Sequence, residues 1–278
     1  MRILLTGATG YIGSAVCGEL LDAGHDIVAV VRSTEAAARV AERGARPAIG
    51  DAEDADWLAG LLVNTDAAIH TAASDDPERL NAAVADAVQR VYAGTARRFV
   101  LTGGIWAYGA GDDIRDDDAP APVDLVAWRV PIEARLLAGP VSTTVIAPGV
   151  VYGRVGGLLP IVVDTYRADG ALALVGDGSQ HWTWVHVDDL ARLYRVVVEH
   201  PEAIGRVIAA DGSPVTVRTL AESTGTAATA EPVASTRERL GVAFADALLL
   251  DQRAYGAKAR ALGWEPRHAS VIGELARA

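Results

Sequence analysis

The fold is decided by the stretch from Thr6 to Gly13, which reads TGATGYIG. It follows an apolar, strand-like run and opens a helical pattern. In such a unit Gly7 permits the tight turn, Gly10 lets the backbone approach a pyrophosphate, and Gly13 allows the helix to pack closely on the strand. The helix N-terminus then offers free N–H groups and a positive dipole end to the phosphates. The stretch therefore predicts a dinucleotide site rather than a glycine-rich turn without a ligand. The expected contacts are Gly7, Thr9, Gly10, Tyr11, Ile12 and Gly13.

Short apolar runs alternate with helical patterns outward from this stretch, up to about residue 153. The runs are rich in Val, Ile, Leu and Ala and show little alternation with polar residues, as strands buried on both faces do. We therefore predict an α/β fold, a Rossmann-type doubly wound parallel sheet with a small C-terminal substrate lobe. The expected domains are a dinucleotide-binding core over 1–153, continued by about 182–210, and a lobe over 154–181 and 211–278.

Composition narrows the class of protein. Half of the 278 residues are hydrophobic, which indicates a globular protein, and the formal net charge of −11 disfavours nucleic acid and anionic membranes as partners. The single cysteine, Cys17, excludes an internal disulfide and a cysteine metal cluster. No apolar run approaches the length of a membrane span, and no signal peptide is recognised before the first strand. We expect a cytoplasmic protein that binds neither nucleic acid nor membranes.

The end of the second strand bears on the choice of cofactor. An acidic residue at this place binds the adenosine ribose hydroxyls, whereas an arginine accommodates a 2′-phosphate. The sequence has no acid there, and Arg32 and Ser33 offer a cation and a hydroxyl. NADP(H) is therefore favoured over NAD(H), the alternative being that Arg32 is only a solvated strand end.

Further motifs occur along almost the whole chain. They are IGDAED (49–54), AAIHTAA (67–73), LTGGIWAYG (101–109), IAPGVVYG (146–153), WTWVHVDDLARLY (182–194) and LGWEP (262–266). Together with TGATGYIG they resemble the short-chain dehydrogenase/reductase superfamily, in its extended NAD-dependent epimerase/dehydratase branch. The resemblance implies that Asp51 contacts the adenine, and that a nicotinamide pocket forms farther along the sheet. The cofactor contacts it implies are Asp51, Ala52, Thr71, Ala72, Ala73, Pro148, Val150 and Val151.

The catalytic positions depart from the family pattern. The family uses a Ser or Thr after the fifth strand and a Tyr-x-x-x-Lys pair on the next helix, where the lysine holds the nicotinamide ribose and lowers the tyrosine pKa. Alignment by the Tyr-Gly pair and by the trailing glutamate places Gly104, Leu125 and Arg129 at these positions. A second register places Trp128 and Ile132 at the helix positions, and neither register recovers a tyrosine.

The resemblance is therefore to the atypical members that bind the cofactor but lack the standard catalytic residues. Arg129 keeps a positive charge that can bind ribose hydroxyls, although a guanidinium is a poor general base. Thr102 is the hydroxyl that remains on the strand end. We expect both residues at the cofactor and at the reaction centre.

Other side chains could supply a proton. Tyr108 lies in the loop over the expected nicotinamide site and is the first candidate, the alternative being a packing tyrosine. Tyr152 and His186 follow, although His186 could instead cap a helix, as could Asp188. The spacing of His181 and His186 is poor for metal ligands, so we predict no metal site. The tryptophans Trp106, Trp182 and Trp184 either wall a pocket for an apolar or aromatic substrate or belong to the core.

Three functions fit this pattern. The first is an NADP(H)-dependent oxidoreductase or epimerase-like enzyme with a small organic substrate, in which the cofactor supplies the hydride. The second is a binding module that senses the NADP(H)/NADP⁺ ratio, and the third is a non-redox isomerase or cyclase that retains the nucleotide. We favour the first, because the segments expected to hold the nicotinamide are present. Related proteins form dimers through the helices around 80–91 and 125–137, so a homodimer is an expectation as well.

Overall fold

The computed structural model describes residues 1–154, 156–167, 169–268 and 270–275. In chain order its strands are β1 (Arg2–Thr6), β2 (Asp26–Val31), β3 (Arg46–Ile49), β4 (Ala67–His70), β5 (Arg98–Thr102), β6 (Gly111–Ile114), β7 (Ser142–Pro148), β8 (Val150–Tyr152), β9 (Leu172–Ala173), β10 (His181–Trp182), β11 (Trp184–His186), β12 (Gly205–Ala209), β13 (Val215–Thr216), β14 (Ala228–Thr229) and β15 (Gln252–Ala254). Its helices are α1 (Tyr11–Asp22), α2 (Thr34–Glu42), α3 (Ala55–Leu62), α4 (Pro77–Tyr92), α5 (Arg129–Ala138), α6 (Leu159–Val163), α7 (Val187–Glu199), α8 (Val217–Glu222), α9 (Val233–Leu240), α10 (Val242–Leu248), α11 (Ala257–Ala261) and α12 (Val271–Leu275).

A seven-stranded sheet confirms the predicted fold class. Its strand order is β12-β7-β5-β4-β1-β2-β3, and the pairs from β3 through β7 are parallel. From β1 the chain first adds strands on one side and then returns to add β4 and β5 on the other. A crevice therefore opens at the carboxyl ends of β1 and β4, which is where this class of fold binds its ligands.

The first helices begin where the sequence provides caps. The sequence offers Ser33 or Thr34 as the cap of α2, and in the structure it is the Ser33 hydroxyl that accepts a hydrogen bond from Ala36 N, at 3.2 Å. Asp54 and Asp76 cap α3 and α4 in the same way. The caps fix each helix N-terminus directly after the loop that leaves the sheet.

The helix expected over 123–139 begins later than its apolar pattern suggests. Residues Asp124–Val126 form a 3₁₀ turn, and α5 starts at Arg129. Pro131 then lies in the first helical turn, where the missing N–H has no intrahelical partner to lose. A proline inside this pattern predicts either a kink or a later helix start, and the structure has the later start.

Two expectations for the C-terminal half are wrong in detail. The pattern over 158–170 predicts one helix, but among the residues of this range that the structure describes only the short α6 is helical. The cap of α7 is His186 rather than Asp188: the helix begins at Val187, and Nδ1 of His186 accepts a hydrogen bond from Asp188 N at 3.1 Å. The imidazole nitrogen takes the place that a carboxylate usually fills.

The chain divides into two compact units, each built from separated segments. Unit 1 comprises residues 1–103, 131–146 and 190–207, and unit 2 comprises 104–130, 147–189 and 208–278. The segment after β5, residues 104–130, is part of unit 2, and the expected domain bounds stay a prediction. Among the described helices, none combines the length and hydropathy that crossing a bilayer requires.

Candidate functional site

A cavity of about 390 Å³ lies in unit 1, at the carboxyl ends of β1, β2, β3 and β4. Most of its lining comes from the residues predicted to bind a dinucleotide. These are Gly7, Thr9, Gly10, Tyr11, Ile12, Arg32, Asp51, Ala52, Thr71, Ala72 and Ala73. The lining also includes Thr6, Val30, Val31, Glu53, Ser74 and Leu80, which the motifs did not indicate.

The turn between β1 and α1 has room for a ligand but none for side chains. Gly7 has φ 78°, and a Cβ there would lie 2.6 Å from Ala72 N. A Cβ on Gly13 would lie 2.1 Å from the carbonyl oxygen of Gly7. Gly10 donates to that same carbonyl at 2.9 Å and caps α1 without a side chain. The bare backbone and the helix N-terminus form a cradle that fits a pyrophosphate.

The side of the cavity next to β2 carries an available cation. Arg32 is exposed and lines the cavity, and no hydrogen bond or ion pair of its guanidinium is found within the described residues. The Ser33 hydroxyl lies beside it but is already an acceptor for Ala36 N. Glu35 follows in the first turn of α2, and hydrogen bonds from its own backbone and from Ser33 lower the pKa of its carboxyl. At the β2 tip itself the residue is Val31, which cannot bind ribose hydroxyls.

Another part of the cavity lining comes from the loop after β3. Asp51 lines the cavity, and its carboxylate accepts a hydrogen bond from Glu53 N at 2.9 Å. Glu53 in turn forms an ion pair with Arg79 of α4 at 3.1 Å. The contact links the loop to a second helix, and only the packing of α4 brings Leu80 into the lining. No local sequence signal announces such residues.

Several predicted contacts do not line this cavity. Gly13 lies behind the turn, and Ser33 serves as the α2 cap. Arg129, Pro148, Val150 and Val151 belong to unit 2, and their cofactor roles stay predictions. The Thr102 hydroxyl is 2.6 Å from the Tyr194 hydroxyl and donates to the carbonyl oxygen of His70, also at 2.6 Å.

The segment aligned with the catalytic helix keeps little of the expected chemistry. Leu125 lies in the 3₁₀ turn, one turn before α5, and the guanidinium of Arg129 lies over the Trp128 ring at 4.5 Å. A Cβ built on Gly104 meets no atom within 4 Å, so this position could hold a serine but does not. Lys258 is the only lysine of the chain and lies far along the sequence in α11.

The two candidate tyrosines, Tyr108 and Tyr152, are both buried. Tyr108 is 7% exposed, and its hydroxyl donates to the carbonyl oxygen of Asp116 at 3.0 Å. Tyr152 is fully buried against the rings of Trp184 and His186. These placements favour packing roles, and a catalytic role for Tyr108 stays a prediction.

His186, Asp188 and His268 form a group of potential metal ligands. The two imidazole rings are stacked at 3.5 Å with an interplanar angle of 14°. Lone pairs of parallel rings lie in separate planes and do not converge on one ion. Asp188 is also paired with Arg154 at 2.6 Å, and burial, with His268 beside it, lowers the pKa of His186. In this cluster His186 caps α7. The carboxylate of the adjacent Asp189 accepts a hydrogen bond from the backbone N–H of His268 and so ties the C-terminal segment to this helix.

The tryptophans divide between the two alternatives. Trp182 and Trp184 are buried in the core of unit 2, so the core alternative holds for them. Trp106 is half-buried and packs edge-on against Phe244 at 6.1 Å.

Comparison with known proteins supports the same assignment of family. An NAD(P)H-binding family model matches residues 7–139, and the NAD dependent epimerase/dehydratase family matches 138–209. The chain is 30% identical to the 3-diazoavenalumate denitrifying reductase of Streptomyces sp over the whole of both chains. It is 27% identical to the 2-alkyl-3-oxoalkanoate reductase of Stenotrophomonas maltophilia, over 72% of this chain and 66% of that protein.

Solved structures of the same fold cover the chain completely. The human epimerase family protein SDR39U1, crystallised with NADPH, has a TM-score of 0.78 at 23% identity, over 100% of this chain and 99% of that chain. A UDP-glucose 4-epimerase from Thermotoga maritima, with UDP-glucose, has a TM-score of 0.74 at 21% identity, over 99% and 96%. The glycine cradle, the strand order and these matches together show that the chain belongs to the extended NAD-dependent epimerase/dehydratase branch of the short-chain dehydrogenase/reductase superfamily.

Proposed function

We propose that the protein is an NADP(H)-dependent oxidoreductase or epimerase-like enzyme that acts on a small organic substrate through a non-standard active site. The observation that carries the cofactor preference is Arg32. Arg32 lines the cavity and follows a strand tip without an acid, and its guanidinium has no partner among the described residues. A guanidinium pairs well with a 2′-phosphate and gains nothing from a ribose hydroxyl that it would not also gain from water.

The chain's own residues bind and orient the nucleotide. The turn from Gly7 to Gly10 and the N-terminus of α1 would hold the pyrophosphate, and the Thr71–Ala73 backbone forms the opposite wall. When bound, the nicotinamide supplies or accepts a hydride. The protein then contributes position and a fixed electrostatic environment.

The substrate we propose needs no proton from a tyrosine. Gly104 and Leu125 offer no acidic hydrogen, so a ketone would lack its usual proton donor. A substrate with its own acid, or with an activated C=N or C=C bond, would not need a proton donor from the protein. The similarity to a reductase named for a diazo substrate supports this class. The half-buried Trp106 favours an aromatic or apolar substrate.

A second function is favoured by one specific observation, the absence of a hydroxyl at both Gly104 and Leu125. A non-redox isomerase or cyclase that retains the nucleotide, or a module that senses NADP(H), would need neither group. These alternatives share the bound nucleotide with the first proposal and differ from it in whether NADPH is consumed.

The cofactor preference is tested by fluorescence titration of the Arg32→Ala variant with NADPH and NADH. We expect Kd for NADPH to rise by at least about tenfold and Kd for NADH by less than about threefold, since only NADPH carries the 2′-phosphate. The matched control is Arg39→Ala, which removes an exposed arginine of α2 that does not line the cavity. Equal weakening of both nucleotides would contradict the preference.

The redox assignment is tested by NADPH consumption with two sets of small aromatic substrates. We expect turnover with activated C=N or diazo compounds and slower turnover with simple ketones. Binding of NADPH without consumption of it in either set would favour the alternatives.

A further inference from the structure

A chain of buried polar groups lies behind the phosphate-binding turn in unit 1. Nδ1 of His70 is 2.7 Å from Oγ1 of Thr6, which ends β1. The carbonyl oxygen of His70 accepts a hydrogen bond from Oγ1 of Thr102, and Oγ1 of Thr102 is in turn 2.6 Å from the Tyr194 hydroxyl. His70 is 2% exposed and Tyr194 is fully buried. These polar groups therefore form a continuous series from Tyr194 of α7, through Thr102 of β5 and His70 of β4, to Thr6, the last residue before Gly7.

Apolar side chains would satisfy the packing at these positions. Neighbouring strand residues such as Leu5 and Ile69 are fully buried and apolar. A buried imidazole and hydroxyl must replace their bonds to water with bonds of good geometry, so they add little net stability. What these groups add is a fixed geometry, because a hydrogen bond constrains the positions of its two partners more closely than an apolar contact does.

Thr6 connects two segments that line the cavity. Its side chain meets His70, and its carbonyl oxygen accepts hydrogen bonds from N and Oγ1 of Thr71, the latter at 2.8 Å. A Cβ on Gly13 would lie only 2.5 Å from Oγ1 of Thr71. Thr6 and Thr71 line the cavity, whereas His70 lies behind them. The position of Thr6 thus sets the distance between the glycine turn and the opposite wall.

We propose that His70 is a positioning residue for the cofactor pyrophosphate, acting through its hydrogen bond to Thr6. This inference rests on the cofactor binding proposed above. The Thr102–Tyr194 contact holds the His70 backbone, the imidazole holds Thr6, and Thr6 holds both loops at the separation that the pyrophosphate requires. Loss of the imidazole lets the turn relax, which weakens ligands that contain a pyrophosphate.

The test compares His70→Leu with His70→Asn, whose amide can keep a polar group near the place of Nδ1. We expect His70→Leu to raise Kd for NADPH and for ADP-ribose by about tenfold or more, and His70→Asn to stay within about threefold of the wild type. Binding of 2′-AMP, which has no pyrophosphate, stays unchanged in both variants. Thr6→Val, nearly isosteric, gives the same rise, and His70→Leu adds little to it in the double variant.

Thr65→Val is the matched control for a purely structural role. Thr65 forms a buried hydrogen bond of the same kind, 2.6 Å to the Tyr92 hydroxyl, in the same unit but away from the cavity. We expect it to lower Tm about as much as His70→Leu does and to leave Kd unchanged. If Kd for NADPH changes equally in Thr65→Val and His70→Leu, or in neither, the positioning role is overturned. A wild-type protein that binds neither NADPH nor NADH overturns the proposed function itself.

Discussion

Gly13 and Gly18 lie in the same helix, and only one of them has room for a side chain. A Cβ on Gly13 would lie 2.1 Å from the Gly7 carbonyl oxygen, whereas a Cβ on Gly18 meets nothing within 4 Å. The spacing of the motif correctly identified Gly13 as the glycine that cannot be replaced, because each glycine of the motif is required by the local geometry of the turn. The lining residues Glu53 and Leu80 have no such local signature in the sequence. They reach the cavity only because α4 packs beside the loop after β3.

Gly13→Ala should therefore displace the turn and raise Kd for NADPH by about 100-fold or more, as measured by fluorescence titration. The control Gly18→Ala should leave Kd unchanged and raise the free energy of unfolding by about 0.5–1 kcal/mol, because alanine favours the helix. Unchanged NADPH binding by Gly13→Ala would show that the turn does not contact the cofactor.

Tyr108 makes a second prediction at the residue scale. Its hydroxyl is buried and donates to the Asp116 carbonyl. We expect Tyr108→Phe to lower the free energy of unfolding by about 1 kcal/mol, the worth of a typical buried hydrogen bond, and to leave turnover within about threefold of the wild type. A loss of turnover of about 10²-fold, the scale of general acid catalysis, would instead assign the proton to Tyr108.

At the element scale, alternation of apolar runs with helical patterns predicted the strands of the main sheet and the first helices. It overextended the helix around Leu125, because the apolar period continues through residues that form a 3₁₀ turn, while Pro131 permits the α-helix only from Arg129 onward. Strand β6 lies in an acidic loop without any strand pattern, and its pairing with β15 is a tertiary contact that composition does not encode.

The element that follows β5 can be rebuilt to test the alignment of the catalytic residues. Gly104 has extended backbone angles and open space, so a serine fits there. We expect the triple variant G104S/L125Y/R129K to reduce small ketones about 10²-fold faster than G104S/L125F/R129K, since the two differ only in the phenol that donates the proton. The measurement is NADPH consumption with the ketone set.

Equal rates for these two variants would contradict the register that pairs Leu125 with Arg129. The alternative register is then tested by W128Y/I132K, combined with G104S, against its phenylalanine counterpart W128F/I132K. Activity in this pair alone would move the catalytic positions three residues along the chain.

At the scale of the whole molecule, the sequence order did not reveal how the chain divides. The segments of both units are interleaved, and four of the five boundaries fall inside strands or helices that look continuous in sequence. Segment 104–130 follows a core strand directly yet belongs to unit 2, because its contacts are with residues such as Gln252, whose side chain donates to the carbonyl oxygens of Ile105 and Gly109. Contacts between residues so distant in sequence leave no periodic signal.

Two buried groups of unit 2 should make the stability of the molecule depend on pH in opposite directions. Burial, with His268 beside it, lowers the pKa of His186, so the unfolded chain binds a proton more readily and stability falls as pH drops below about 6.5. Burial, with Asp189 nearby, raises the pKa of Asp211 to about 7, against the opposing effects of the Ser213 N–H and of Arg260. The folded chain then binds the proton more readily, so stability is lost as pH rises from about 4 to about 7.

Asp211→Asn separates these two effects. The carboxyl is 8% exposed, and its Oδ1 accepts a hydrogen bond from Ser213 N at 2.8 Å, which an asparagine carbonyl can replace. Since the neutral amide mimics the protonated acid, Tm of the variant should match the wild type near pH 4 and exceed it by roughly 5 °C at pH 8. The control Asp112→Asn removes the same charge from an exposed position and should show no such growth with pH. A constant difference in Tm between Asp211→Asn and the wild type across this range would show that the carboxyl of Asp211 titrates alike in the folded and unfolded chain.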